Sequence, residues 1–145
     1  MAPMLFTKSI LENKPIKIFN NGEMSRDFTY IDDVILIIEK LLKKPATPNK
    51  NFKRSNPDPS SSWNPFKIFN IGNNNVIKLM DFIKILEEEI GQKAIKLYCQ
   101  MEPGDVQFTS ADTSEIYKWV NFKPNTTINT GIRKLITWYK DYYKY

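Results

Sequence analysis

The sequence predicts an α/β fold in which short strands alternate with amphipathic helices. Short runs of β-branched and aromatic residues recur between Asn, Gly and Pro turns, and longer segments between them repeat apolar residues at helical spacing. The chain has 145 residues, of which 41% are hydrophobic and 26% charged, enough for one compact core and too little for two. We therefore expect one domain, residues 1–145, with mixed short sheets and four to five helices.

Composition excludes several classes of chemistry. The single cysteine, Cys99, cannot form an internal disulfide, and without histidine the chain offers neither a Cys/His zinc site nor a Ser-His or Cys-His nucleophile pair. No apolar run is long enough to span a bilayer, and the first residues lack the layout of a signal peptide. We expect a cytoplasmic protein with no membrane contact and no metal.

The net charge of +5 favours an anionic partner. The lysines are spread along the chain and form no basic arm or helix. A nucleotide diphosphate therefore suits this charge as well as a nucleic acid does.

The first third of the chain predicts a helix, a hairpin and a second helix. Apolar spacing indicates a helix over residues 3–13, and alternation indicates a half-buried strand over 16–19. An Asn-Asn-Gly turn then leads into a β-rich run over 28–31, so we expect a hairpin from 16 to 31. A helix with a broad apolar stripe follows and ends near Lys44.

Arg26 stands at the start of that β-rich run, which places its guanidinium at the rim of a sheet. A planar guanidinium can grip a phosphate through two parallel hydrogen bonds, but an ordinary surface ion pair with a carboxylate fits the same pattern. Asp32 and Asp33 follow at the start of the helix, where acids are favoured by the helix dipole. We interpret them as helix-start residues, with acid–base chemistry or a divalent ion as the alternative.

The middle of the chain changes composition and then returns to regular elements. Residues 45–65 hold five of the nine prolines and a Ser-Ser-Ser run, which predicts a long mobile surface loop. A strand over 66–72 follows, apolar on both faces as in a buried parallel sheet. A helix over 79–90 with a glycine stop and a strand over 94–99 come next.

The last third carries one further candidate site residue. Pro103-Gly104 predicts a turn that presents Asp105 at a strand end, where a carboxylate can accept hydrogen bonds from sugar hydroxyls or from its own backbone. Residues 112–115 read as a capping box for a short helix, and a final helix covers 127–143. Its aromatic and lysine-rich end fits core packing better than nucleic-acid binding.

Several of these motifs, taken in order, resemble the C-terminal part of NAD-dependent nucleotide-sugar epimerases of the extended short-chain dehydrogenase/reductase superfamily, with UDP-glucuronate 4-epimerases as the nearest match. The resemblance covers the chain outside the 45–65 loop. The matching residues are 14–20, Gly22, 26–33, 69–73, 103–106 and 111–112.

The resemblance implies roles for four residues. Lys17, through its backbone, and Phe19 match the strand that borders the uracil of the substrate, Arg26 matches the arginine that grips the diphosphate, and Asp105 matches the acid that holds the ribose. In related UDP-glucose 4-epimerases a second phosphate-binding arginine stands three residues before that acid. Here that position is Glu102.

The resemblance also implies what this chain does not carry. The family begins with a Rossmann half that binds NAD and holds a Tyr-x-x-x-Lys pair, and neither a glycine-rich strand-to-helix turn nor such a pair occurs here. We therefore expect a truncated or split substrate-binding portion that binds UDP-sugars, needs no cofactor and has no catalytic residue of its own.

The partners follow from the same resemblance. We expect a separately encoded Rossmann half as a possible partner, and self-association through the exposed edge of the 66–71 strand. The alternative is a non-enzymatic basic binding or assembly module for a nucleic acid or protein, with nucleic acid the less favoured ligand.

Overall fold

The computed structural model describes residues 2–145, which divide into two compact units. The first unit comprises residues 2–28, 75–110 and 126–145, and the second comprises 29–74 and 111–125. Each unit is therefore assembled from segments that are distant in sequence.

The first unit contains three helices and four short strands. Helix α1 and strands β1 and β2 come from the beginning of the chain, β3, α3 and β4 from its middle, and α5 from its end. Their bounds are α1 Ala2–Leu11, β1 Ile16–Ile18, β2 Ser25–Asp27, β3 Val76–Lys78, α3 Leu79–Ile90, β4 Lys96–Tyr98 and α5 Ile128–Tyr143.

The strands of this unit form two separate two-stranded sheets. β1 pairs with β4 in parallel, Ile16 opposite Lys96, and β2 pairs with β3 in antiparallel fashion, Arg26 opposite Ile77. The hairpin predicted from 16 to 31 is therefore wrong. Between β1 and β2 the chain makes a 3₁₀ turn, Phe19–Gly22, whose last three residues all have positive φ angles and direct β2 into the second sheet.

The β-rich run over 28–31 is likewise not a strand, because β2 ends at Asp27. Phe28 turns into the core and stacks on Phe82 with ring centroids 4.8 Å apart. Burying this ring competes with continuation of the ladder, and the next helix already begins at Ile31.

Helix α3 is the centre of the first unit's core. Phe82, Ile83 and Leu86 are fully buried, and both α1 and α5 pack against this helix. Apolar side chains from α1, β1 and α5 complete the cluster. The buried members are Ile10, Ile16, Ile18, Phe82, Ile83, Leu86, Ile90, Ile132 and Ile136.

A buried carboxylate at the end of α3 joins this helix to β4. Glu87 accepts hydrogen bonds from the Lys96 and Lys93 ammonium groups and from the backbone N–H of Ala94. Burial by itself would raise the pKa of Glu87, but these hydrogen bonds outweigh it and hold the pKa below its usual value. An acid near the C-terminus of a helix opposes the helix dipole, and these three donors compensate for that position.

The second unit contains α2, Ile31–Lys43, and α4, Ser114–Val120. Asp32 and Asp33 lie in the first turn of α2, as predicted, although the preceding residue makes no side-chain cap. The capping box predicted at 112–115 is wrong in detail. Thr113 makes no side-chain cap, and Asp112 instead accepts the backbone N–H of Ser114 at 2.9 Å.

Residues 66–72, predicted as a strand, form none in the structure. Their one ladder contact is an isolated bridge between Lys67 and Ser61. Phe69 and Ile71 nevertheless pack beside buried Ile37 of α2. A strand needs a neighbour along its hydrogen-bonding edge, and within residues 2–145 no second strand lies there.

The proline-rich segment 45–65 contains no helix and no strand beyond this bridge. Within this segment the carboxylate of Asp58 accepts hydrogen bonds from the backbone N–H of Ser60 and from the hydroxyl of Ser61. Those bonds lower the pKa of Asp58 to about 2. Within residues 2–145 no helix combines the length and the apolar character needed to cross a membrane.

The Glu87 cluster predicts an acid-sensitive contribution to stability. Because the folded-state pKa lies below the unfolded value, this contribution is complete above about pH 4.5 and is lost as the pH falls through the lowered pKa. We expect Glu87→Gln to reduce the free energy of unfolding at pH 7 by about 1.5–3 kcal/mol, the usual range for hydrogen bonds to charged groups, and to flatten the pH profile below pH 4.5.

Urea titration at pH 3–7 measures both effects. Glu88→Gln is the matched control, since Glu88 is exposed and its nearest ammonium, on Lys84, is 3.9 Å away. Equal stability changes in the two variants would contradict the proposed role of Glu87.

The surroundings of Gly22 predict that any side chain at this position lowers the stability of the fold. Its φ angle is +86°, and an added Cβ would lie 2.8 Å from Sδ of Met80. Gly104 has a similar φ of +85°, but an added Cβ there meets no atom within 4 Å. We expect Gly104→Ala to cost about 1–2 kcal/mol from backbone strain alone, and Gly22→Ala to cost more, as measured by urea unfolding.

Candidate functional site

A cavity of about 440 Å³ in the first unit holds all four predicted site residues: Lys17, Phe19, Arg26 and Asp105. It lies beside both short sheets, and most of its wall is apolar. Positions up to 88 residues apart in sequence are thus brought to one concave surface. Such a surface, apolar with a few convergent polar groups, is typical of a small-molecule site.

Strand β1 positions the first two residues. Ile16 and Ile18 point into the core, so Lys17 between them projects from the opposite side of the strand and is exposed. Phe19 follows directly, at the first position of the 3₁₀ turn. The buried isoleucines therefore fix the direction of Lys17, since side chains alternate along a strand.

Strand β2 positions Arg26, whose guanidinium makes three hydrogen bonds. Nη1 donates to the carbonyl oxygens of Ser25 at 2.9 Å and Gln107 at 3.2 Å, and Nη2 donates to Oδ1 of Asp105 at 2.9 Å. The side chains of Arg26 and Asp105 are 30% and 38% exposed, so this ion pair remains accessible to solvent and ligands.

A tight turn positions Asp105. Pro103 and Gly104 occupy its central positions, the glycine has a φ of +85°, and the N–H of Asp105 donates to the carbonyl of Glu102 at 3.2 Å. These are the features of the predicted Pro-Gly turn. Oδ1 of Asp105 also accepts the N–H of Val106 at 2.8 Å. Both alternatives for Asp105 are therefore partly realised, a bond to its own backbone and a carboxylate presented at the cavity.

The segment after this turn attaches to β2. The N–H of Ser25 donates to the carbonyl of Gln107 at 2.9 Å, and the N–H of Thr109 donates to the carbonyl of Ser25 at 3.3 Å. The Arg26 guanidinium also bonds this segment, through the carbonyl of Gln107. Arg26 therefore makes the ion pair that the sequence suggested, and it also holds the 101–110 segment against β2.

The arrangement offers three kinds of contact to a ligand. Aromatic and aliphatic groups form an apolar wall, Arg26 offers a guanidinium, and Asp105 offers a carboxylate. The described residues contain no group of three side chains placed to hold a metal ion.

Sequence reasoning missed the apolar wall of the cavity. Phe28 and Phe82 belong to it, although they come from different segments and join only through their stacking. The sequence signal for Phe82 was its place on the apolar face of α3, which predicts burial but no role at a site. The remaining apolar members are Ala2, Pro3, Phe6, Met24, Ile77 and Leu79.

Comparisons with known proteins show which proteins this chain is similar to. The model of the NAD dependent epimerase/dehydratase family matches residues 3–72. Protein CapI of Staphylococcus aureus is 45% identical over 144 residues, which cover 99% of this chain and 43% of CapI. A probable UDP-glucuronate 4-epimerase of Rhizobium meliloti is 33% identical and is covered over 42% of its length.

The fold agrees with part of a solved epimerase structure. UDP-glucuronic acid 4-epimerase from Bacillus cereus, in complex with UDP-glucuronic acid and NAD, superposes with a TM-score of 0.79 at 29% identity, covering 99% of this chain and 40% of that one. The chain thus spans less than half the length of the relatives it matches. It is a partial-length relative of UDP-glucuronate 4-epimerases and of CapI.

Proposed function

We propose that this chain supplies the substrate-binding portion of a UDP-glucuronate 4-epimerase and binds the UDP end of the nucleotide sugar in the 440 Å³ cavity. The observation that carries the proposal is the convergence of Lys17, Phe19, Arg26 and Asp105 on that cavity. Each of these residues matches a family position with a role at the same end of the substrate.

The geometry suits a binding mode in which each site residue contacts a different part of UDP. Phe19 and the backbone beside Lys17 border the planar uracil, Arg26 contacts the diphosphate, and Asp105 accepts hydrogen bonds from the ribose hydroxyls. A guanidinium carries five N–H donors, and the bonds to Ser25, Gln107 and Asp105 leave the Nε–H and one Nη2–H for a phosphate oxygen. The diphosphate therefore shares Arg26 with Asp105 without displacing it.

Glu102 bears on how strongly the diphosphate is held. It is exposed, and its carbonyl closes the turn that presents Asp105. A carboxylate at this position supplies no phosphate contact, so in the proposal Arg26 is the principal cation at the diphosphate. The sensitivity of binding to Arg26 should be correspondingly large.

The residues described do not fit an NAD site. Dinucleotide sites place a glycine-rich turn between a strand and the N-terminus of a helix, whereas the junctions from β2 to α2 and from β3 to α3 contain no glycine. We propose that NAD and the catalytic tyrosine belong to a portion of the enzyme outside these 145 residues. The chain would then act on a UDP-sugar only together with that portion.

Arg26 is tested by calorimetric titration with UDP. Losing charge-assisted hydrogen bonds worth about 1.5–3 kcal/mol should weaken UDP binding by about 10- to 150-fold in Arg26→Ala. Arg54→Ala, which removes an arginine that stacks over Trp63 outside the cavity, should leave UDP affinity unchanged. Uridine, which lacks the diphosphate, should lose less affinity than UDP in Arg26→Ala and none in Arg54→Ala.

Unchanged UDP affinity in Arg26→Ala would remove this residue from the site. Binding of random oligonucleotides that weakens steeply with salt and is not competed by UDP would instead support a basic binding module.

Catalysis is tested with UDP-glucuronate and NAD. The purified chain should produce no UDP-galacturonate, because it contains no Tyr-x-x-x-Lys pair to supply the base for hydride transfer. The measurement is chromatographic separation of the two UDP-sugars after prolonged incubation. Turnover by the chain alone would refute the proposal that catalysis needs residues outside this chain.

A further inference from the structure

A second cavity, of about 400 Å³, lies in the first unit beside the candidate site. Its volume falls within the roughly 300–1,000 Å³ that small-molecule pockets span. Its lining residues come from three segments of the chain, 22–25, 78–80 and 107–108. None of the four candidate site residues lines it, so the proposed binding of UDP leaves this cavity without a role.

The two cavities lie on opposite faces of the ladder between β2 and β3. Ser25 pairs with Lys78 and Arg26 pairs with Ile77, and successive side chains of a strand point to opposite faces. Ser25 and Lys78 line the second cavity, whereas Arg26 and Ile77 line the first. The second cavity is therefore a distinct surface and not an extension of the proposed UDP site.

The apolar part of the second cavity is built from two methionines and one aromatic ring. Met24 is 7% exposed, and the ring of Phe108 is 60% exposed. Met80 lies against buried Gly22, where an added Cβ would fall 2.8 Å from its Sδ. Thioether sulfurs and aromatic rings both make favourable contacts with an aromatic ring, so this wall suits a planar aromatic group.

The same cavity is lined by two charged groups of opposite sign. Lys78 and Glu23 are both exposed, and no ion pair within residues 2–145 involves either of them. Lys78 lies directly opposite Ser25 in the ladder, so its ammonium and the Ser25 hydroxyl can bind one anionic group together. The Glu23 carboxylate can accept a hydrogen bond from a donor elsewhere on the same ligand.

We propose that the second cavity binds a small aromatic molecule that carries an anionic group and a separate hydrogen-bond donor. The ring lies against Met24, Met80 and Phe108, the anionic group binds Lys78, and the donor faces Glu23. Aromatic amino acids and nucleotides with an amino-substituted base share this chemistry. The proposal concerns a second ligand and stands independently of UDP binding.

The test is an NMR titration of the 145-residue chain, isotopically labelled at its methionine methyl groups, with L-tryptophan and adenosine monophosphate as separate probes. Met80 lines the second cavity and not the first, so its methyl resonance reports occupancy there. We expect at least one probe to shift this resonance saturably. The Met4 resonance should stay unchanged, because Met4 lines neither cavity.

The two probes distinguish the sources of the ligand. Saturation by L-tryptophan indicates an amino acid, and saturation by adenosine monophosphate indicates a nucleotide. Each titration is repeated with excess UDP, which should not displace the probe because the two cavities lie on opposite faces of the ladder.

A matched pair of lysine substitutions locates the anionic group. Lys78→Met removes the ammonium and keeps an unbranched side chain, and it should weaken probe binding by about 10- to 150-fold through the loss of a charge-assisted hydrogen bond. Lys84→Met removes an exposed lysine of α3 outside the cavity and should leave probe affinity unchanged. Both lysines are exposed, so both variants should fold, and circular dichroism checks this.

Three results would overturn the proposal: no saturable shift of the Met80 resonance with either probe, equal losses of affinity in the two variants, or displacement of the probe by UDP. The titration of Arg26→Ala with UDP is read separately, since Arg26 does not line the second cavity. Failure of one site therefore leaves the other standing.

Discussion

The guanidinium of Arg26 joins two regions of the first unit that lie about 80 residues apart in sequence. It bonds its own strand through the Ser25 carbonyl, the segment after the turn through Gln107, and the turn itself through Asp105. The carboxylate at the cavity is thereby fixed 2.9 Å from the cation. Without this side chain, the exposed segment 101–110 would keep only its two backbone bonds to Ser25.

The structural contacts of Arg26 are compatible with its proposed role in binding. An exposed ion pair contributes little to stability on average, because solvent screens it and two side chains lose freedom. The Arg26–Asp105 pair matters more for positioning than for stability. It places a cation beside an acceptor at the cavity, and two N–H donors of the guanidinium remain available. A structural tie and a diphosphate contact are therefore compatible at this position.

The two units differ in how completely their apolar side chains are buried and their polar groups are hydrogen-bonded. In the first, α3 is enclosed by α1 and α5, and even the Glu87 carboxylate finds three donors. In the second, α2 buries one apolar face and exposes the other, and the 66–71 segment has one bridge where a sheet strand would have a ladder. The first unit thus buries its core with its own residues, whereas the second unit leaves apolar side chains of α2 exposed to solvent.

The sequence by itself determined the helices and the Pro-Gly turn at Asp105, because helical periodicity and turn chemistry are local signals. The four residues of the candidate site were proposed from the resemblance of ordered motifs to a known family. Strand pairing was decided only by the tertiary structure. β1 pairs with β4, so that Ile16 lies opposite Lys96, and it forms no hairpin with β2. Phe28 packs on Phe82 and does not extend β2. Both outcomes depend on which apolar surfaces, distant in sequence, come into contact. The ion pair between Arg26 and Asp105, 79 residues apart, was settled the same way.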